Sequence, residues 1–148
     1  MECFSIAVWD GTIQEGSGIL MSESKALNKT ALSFASTLKE EIATNPEELL
    51  AAAHASCYCM MLSSLLTQSG FSDINLKVMA TVHLDSQQGA ITESCINVKA
   101  FIPNIEQALF DQLVAKAQAD CPIGRSLKAN LSVQAQLLEI PYTHDEYL

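Results

Sequence analysis

The sequence predicts an α+β fold, because strand-like and helix-like patterns occupy separate stretches without regular alternation. Apolar side chains recur at every second position over residues 74–84 and 90–102, as they do in strands with one buried face. After Pro103 they recur at helical spacing. The chain has 148 residues and no internal repeat, low-complexity tract or Pro/Gly-rich linker. We therefore expect residues 1–148 to form a single domain.

The chain is expected to begin with a small meander of strands. Residues 1–38 alternate between apolar and polar side chains over short segments, which Gly11, Gly16 and Gly18 interrupt. Glycines between short alternating segments are typical of turns that connect neighbouring strands. This region therefore predicts two or three strands.

A long helix follows and should form the centre of the protein. Asn45 can cap its first turn, and Pro46 suits the first helical position because the missing N–H would have no partner there. A carboxylate in the first turn, such as Glu47, favours the positive end of the helix dipole. Gly70 marks the end. Because this helix is apolar nearly all round, we expect it to be buried, with contacts beyond its own sheet that a second copy of the chain would supply.

The second half of the chain predicts a hairpin, a helix and a last strand. Residues 85–89 (DSQQG) are turn formers between the two alternating segments, so these segments are expected to pair as an antiparallel hairpin. Residues 105–117 carry an apolar stripe at helical spacing, and residues 131–137 alternate again. The expected architecture is therefore one of antiparallel sheets packed around the long helix.

Charge and composition restrict the partners of the protein. Seventeen acidic and eight basic residues give a net charge of −9, which repels nucleic acid and anionic membrane surfaces. No run of about 20 apolar residues is evident, and the first residues lack the pattern of a signal peptide. We therefore expect a cytoplasmic protein that binds neither nucleic acid nor membrane, and whose partner is a small neutral or apolar molecule.

The cysteines indicate thiol chemistry more than metal binding. Five cysteines at irregular spacing do not suggest a disulfide scaffold, and in a reducing compartment they would be thiols. Cys57 and Cys59 lie about 200° apart around a helix and cannot share a metal ion. The chain contains no C-x-x-C or H-E-x-x-H motif. We therefore expect no metal site.

Two places could hold a functional thiol. His54 lies three residues before Cys57 on the same helical face, so its imidazole could hydrogen-bond the thiol or help it ionise. Alternatively, His54 and Cys57 are packing residues of the core. Cys121 directly precedes Pro122 at the start of a predicted helical turn, where backbone N–H groups and Arg125 would favour a thiolate. Arg125 could equally be a solvated surface charge.

These segments resemble the OsmC/Ohr family (osmotically inducible protein C and organic hydroperoxide resistance proteins). The resemblance rests on residues 44–62, TNPEELLAAAHASCYCMML, and on residues 121–133, CPIGRSLKANLSV, and it extends from WDGTIQEGSG through LSVQAQLL. The start GTIQEGSG is more similar to the OsmC branch. The resemblance implies an OsmC-like fold, an intertwined homodimer, and a peroxidase of oxidative or osmotic stress defence that uses no metal, flavin or haem.

The resemblance also implies roles for individual residues. Cys57 matches the cysteine that attacks an organic hydroperoxide and becomes a sulfenic acid, and Cys121 matches the cysteine that resolves it to a disulfide. A dithiol of the lipoyl type or similar would reduce this disulfide. Glu47 matches a family glutamate that orients an arginine near the reactive thiol. Along a straight helix Glu47 is about 15 Å from Cys57, so another element or a second chain must connect them.

The family arginine is absent from this chain. Aligning the segment before the helix places Thr37 at its position, and Lys39 is the nearest cationic substitute. Lysine offers a point charge without the planar fork of arginine. Two alternatives follow: a ligand-binding or redox-sensing protein with weakened peroxidase activity, and a thiol–disulfide exchange partner without peroxide specificity. Cys3, Cys59 and Cys95 are expected to be packing or incidental thiols.

Overall fold

The computed structural model describes residues 2–34 and 42–142, and their contacts divide the chain into two compact units, Met1–Leu49 and Leu50–Leu148. The first unit holds an antiparallel sheet in the order β1-β2-β3. This confirms the predicted meander. Its strands are β1 (Ser5–Asp10), β2 (Ser17–Ser22) and β3 (Thr30–Leu32).

The first unit also contains the beginning of helix α1 (Pro46–Gln68). Thr44 precedes the helix and is paired with β3, since its N–H donates to Ala31 O at 2.9 Å. Asn45 Oδ1 then accepts the N–H of Glu48 at 2.8 Å, which is the capping interaction that the sequence predicts. The start of α1 is therefore fixed by its pairing with β3 and by a side-chain cap.

The second unit combines most of α1 with a three-stranded sheet in the order β4-β5-β6. The predicted antiparallel hairpin is present, with a β-bulge at His83 and Leu84. β6, however, pairs with β5 in parallel, so the expectation of antiparallel sheets fails for this strand. A parallel neighbour requires a crossover connection, and helices α2 and α3 provide it. The elements are β4 (Asn75–Asp85), β5 (Ala90–Phe101), α2 (Gln107–Asp120), α3 (Pro122–Ser126) and β6 (Asn130–Leu137).

One face of α1 supplies the core of the second unit. Its side chains pack with inward residues of β5 and with the apolar stripe of α2. The opposite face is exposed in the single chain, where Met60 is 73% accessible. Burial of α1 on all sides, which the sequence predicts, is not seen in the single chain; only one face is buried, and coverage of the other face by a second copy stays a prediction. The buried residues of α1 are His54, Tyr58, Leu62, Leu65 and Leu66.

Helix α1 is also long and apolar enough to cross a membrane, judged by length and composition alone. The sequence-based expectation that the chain has no such segment is therefore wrong by this measure. The core helix of a soluble protein meets the same measure. In this fold Tyr58, Leu62 and Leu66 are fully buried against other parts of the same unit. α1 therefore packs into the core along one of its faces.

Candidate active site

Two thiols meet in the core of the second unit. Cys57, in the middle of α1, and Cys121, at the junction of α2 and α3, are 64 residues apart in the sequence, and their Sγ atoms are 3.3 Å apart. A disulfide bond would measure about 2.05 Å, so both residues are thiols in non-bonded contact. The structure thus brings together the two cysteines that the sequence singled out.

The local fold fixes the position of Cys121. Its N–H donates to Ala117 O at 3.0 Å and ends α2, while its carbonyl accepts the N–H of Arg125 at 2.9 Å and begins α3. Pro122 occupies the first turn of α3, where its missing N–H leaves no bond unmade. The Cys121 sulfur accepts the N–H of Gly124 at 3.5 Å and so caps this short helix. The sulfur is therefore held within a hydrogen-bonded turn.

The surroundings of Cys121 favour the thiol over the thiolate. The residue is fully buried, and this burial raises its pKa above the usual value for cysteine. The N–H of Gly124 acts in the opposite direction but is outweighed. The expectation that this turn would favour a thiolate is therefore wrong, because loss of hydration exceeds the stabilisation from the backbone. The Cys121 thiol instead donates toward Cys57 Sγ.

His54 and Tyr58 connect α1 to the elements around the two thiols. The Nδ1 atom of His54 is 2.7 Å from the hydroxyl oxygen of Ser94 on β5, and both side chains are buried. Burial lowers the pKa of His54, so its ring is neutral near pH 7. The Tyr58 hydroxyl donates to Val114 O of α2 at 2.9 Å, and burial raises its pKa. No hydrogen bond joins His54 to Cys57 in the described structure; its imidazole is a hydrogen-bonded core group.

Ser94, Tyr58 and Gly124 are site residues that the sequence analysis missed. Ser94 carried a signal, because it is a hydroxyl residue on the face of β5 that otherwise points apolar side chains such as Ile96 and Val98 into the core. A buried hydroxyl needs a partner, and a histidine on a facing helix is a natural one. Tyr58 and Gly124 carried no comparable signal in the sequence.

The other candidate residues lie elsewhere or outside the described residues. Arg125 is exposed in the last turn of α3, and no hydrogen bond or ion pair joins its side chain to Cys57 or Cys121 in the part of the chain that the structure describes. Glu47 is half-buried in the first turn of α1, within the first unit. Thr37 and Lys39 lie outside the described residues. The roles of Glu47 and Lys39 stay predictions.

The remaining cysteines are separate from the thiol pair. Cys59 is half-buried, with its pKa raised by burial, and it borders an open groove of about 520 Å³ between α1 and β4. Cys95 is half-buried on β5, and Cys3 is exposed. Within residues 2–34 and 42–142, no group of three or more His, Cys, Asp or Glu side chains is arranged to hold a metal ion.

The fold and the paired thiols define an α+β protein with a dithiol site. Comparison with known proteins identifies the family. The sequence model of the OsmC-like protein family matches residues 38–136. Peroxiredoxin OsmC of Escherichia coli is 38% identical over 133 residues, covering 88% of this chain and 93% of that protein. The chain belongs to the OsmC family.

More distant relatives agree with this assignment. Organic hydroperoxide resistance protein-like 2 of Staphylococcus epidermidis is 32% identical over 94 residues, which cover 62% of this chain and 65% of that protein. An OsmC-like protein of unknown function from Vibrio cholerae superimposes with a TM-score of 0.70 at 12% identity, covering 92% of this chain and 99% of that one. At this identity the likeness shows the fold, which is that of OsmC and Ohr proteins.

Proposed function

We propose that this protein is a thiol-dependent peroxidase that reduces organic hydroperoxides to alcohols in oxidative or osmotic stress defence. Relatives named peroxiredoxin and organic hydroperoxide resistance protein support a peroxidase role in general. The single observation that carries the detailed proposal is the 3.3 Å approach of the Cys57 and Cys121 sulfurs. A sulfenic acid formed on one sulfur would have its resolving thiol already in contact.

The proposed reaction begins at Cys57. Its thiolate attacks the distal oxygen of the hydroperoxide, the O–O bond breaks, and the alcohol leaves after taking up a proton, so that Cys57 becomes a sulfenic acid. The Cys121 sulfur then attacks the Cys57 sulfur, giving the disulfide and one molecule of water. The two thiols supply both electrons, so the cycle requires no metal, flavin or haem.

The difference in exposure between the two sulfurs indicates where the reductant acts. Cys121 is fully buried, whereas Cys57 is half-buried. An external dithiol of the lipoyl type or similar would therefore attack the Cys57 sulfur, and Cys121 would leave and take up a proton, because its buried position favours the thiol. The second thiol of the reductant then releases Cys57. This direction of exchange returns both cysteines to thiols.

Activation of Cys57 is the part of the proposal that extends beyond the second unit. Glu47 would orient a cation, with Lys39 as the substitute for the missing arginine and Arg125 as a further candidate. Because Glu47 is about 15 Å from Cys57 along α1, we assign the connection to a homodimer in which a second chain contributes to the site. The proposed location is the cytoplasm, where dithiol reductants keep cysteines reduced.

The test is hydroperoxide turnover by the full-length protein. Reduced protein is first mixed with tert-butyl or cumene hydroperoxide alone, and its intact mass is measured. A dithiol is then added, and the loss of peroxide is followed. The expected result is turnover, with a loss of two hydrogens that depends on both Cys57 and Cys121. No turnover, with both thiols still reduced, would contradict the proposal and favour the ligand-binding or redox-sensing alternative. Reduction of disulfide substrates without peroxide turnover would favour a thiol–disulfide exchange partner.

A further inference from the structure

We propose that His54, held by Ser94, is a positioning residue that sets the distance between Cys121 and Cys57 for disulfide formation. The proposal rests on the proposed function, in which the Cys57 sulfenic acid condenses with Cys121. His54 touches neither sulfur through a hydrogen bond in the described structure, so it would act through the turn that carries Cys121.

The first support is the buried contact between His54 and Ser94. His54 is 3% exposed and Ser94 is fully buried, and their hydrogen bond of 2.7 Å joins α1 to β5 one helical turn before Cys57. A buried hydrogen-bonded pair of side chains has few alternative geometries, because breaking the bond leaves polar atoms without water. The imidazole is therefore fixed in orientation.

The second support is the packing of the same ring against the Cys121 turn. A Cβ placed on Gly124 would lie 3.1 Å from His54 Nε2 and 3.7 Å from Cys121 Cβ. The ring thus occupies the space beside Gly124, whose N–H donates to the Cys121 sulfur. One edge of the imidazole is held by β5, and the other edge limits the approach of the turn.

These contacts bear directly on the resolving step. The two sulfurs must approach from 3.3 Å to about 2.05 Å, a closure of roughly 1.3 Å. Cys57 lies in the middle of a 23-residue helix, whereas Cys121 lies in a turn that begins a five-residue helix. We therefore expect the turn that carries Cys121 to move toward Cys57 when the disulfide forms. His54 sets the position of this turn before the movement. Because burial keeps the ring neutral, its contribution is geometric.

The test measures the closeness of the two thiols without using peroxide. The full-length chain with Cys3, Cys59 and Cys95 replaced by serine or alanine is equilibrated with reduced and oxidised glutathione, which gives the effective concentration of the Cys57–Cys121 pair. Ser94→Ala removes the anchor and keeps the ring, and His54→Asn keeps a group near Ser94 and removes the contact with Gly124. Each is expected to lower the effective concentration about tenfold, because a displacement near 1 Å has effects of this order or larger.

The matched control is Ser56→Ala, which removes a hydroxyl from the exposed face of the same helix, where it donates to Ala53 O. It should leave the effective concentration unchanged. A general loss of stability would lower the melting temperature of a variant without changing this ratio in the folded protein. If His54→Asn does not fold, Ser94→Ala alone decides the result.

The same variants are then tested with excess hydroperoxide. The expected result is a sulfenic acid that forms at the parent rate, a slower disulfide, and a larger share of Cys57 converted to sulfinic acid. An effective concentration equal to that of the parent in Ser94→Ala would overturn the positioning role, whatever the peroxidase activity. Conversely, the parent protein could show no peroxide turnover while the variants still lower the effective concentration tenfold in the glutathione titration. That result would contradict the proposed function and leave the positioning role standing.

Discussion

The two faces of α1 place neighbouring cysteines in different chemical settings. On the core face, Cys57 has Cys121 at 3.3 Å, with the buried pair of His54 and Ser94 one turn away. On the other face, Cys59 borders an open groove beside Leu76 and Val78. The two residues differ by one intervening position, and their side chains are separated by about 200° around the helix. Angular position on the helix therefore decides which thiol has a partner sulfur.

The difference between the two faces is tested most directly by removing each thiol in turn. Cys57→Ser should lower hydroperoxide turnover by at least about a thousandfold, because the attacking atom is lost. Cys59→Ser should leave turnover within about twofold of the parent, since it removes no reacting group. Steady-state peroxide consumption measures both. Equal losses in the two variants would show that the faces do not differ in function.

The next largest effect is expected at the partner sulfur. Cys121→Ser should allow the first attack at the parent rate while increasing the share of sulfinic acid about tenfold, because a thiol at high effective concentration has been removed. Rapid-mixing kinetics and intact mass after a single dose of hydroperoxide provide the measurement. Sulfinic acid at the parent level would remove Cys121 from the resolving role.

The two faces should also differ in how much a hydrogen bond contributes to stability. Tyr58→Phe removes the hydroxyl that donates to the buried Val114 O and should lower the free energy of unfolding by about 1–3 kcal/mol. Thr67→Ala removes an exposed hydroxyl that donates to Ser63 O, and its effect should stay within about 0.5 kcal/mol. Urea denaturation of the reduced proteins compares the two, and similar losses would argue against a core that is confined to one face.

The smallest expected effect is a dependence of stability on pH. Burial raises the pKa of Cys121 in the folded state, so the unfolded chain loses this proton first as the pH rises. The contribution of Cys121 is present below its unfolded pKa and is lost as the pH rises through its folded pKa. As the pH rises above about 8.5, the usual pKa of cysteine, the reduced parent should therefore lose more stability than Cys121→Ser. A parallel decline of the two proteins in denaturation curves would contradict this.

Local patterns predicted most of the fold and part of the site. The meander, the hairpin, the cap of α1 and the apolar stripe of α2 depend on neighbouring residues, and the structure confirms each. The direction of β6 was missed, because its pairing with β5 depends on a crossover and not on its own alternation. An alternating strand carries the same pattern in either direction.

The errors at the site share this cause. The resemblance of the two cysteine segments to a known family predicted that Cys57 and Cys121 lie close together, but the protonation state of Cys121 depends on its burial in the folded unit. Complete burial raises its pKa, and nothing in the residues next to Pro122 reports that burial. The partner of His54 is likewise 40 positions away in the sequence, at Ser94. Local periodicity in the sequence does not predict contacts between distant segments.

The separation of Cys57 and Cys121 along the chain also links oxidation to folding. A bond between them would close a loop of 64 residues, which encloses β4, β5 and α2. By the loop-entropy relation, such a cross-link restricts the unfolded chain by about 4 kcal/mol. Each oxidation of the pair is therefore expected to make the molecule harder to unfold, and each reduction to return it to the more labile form.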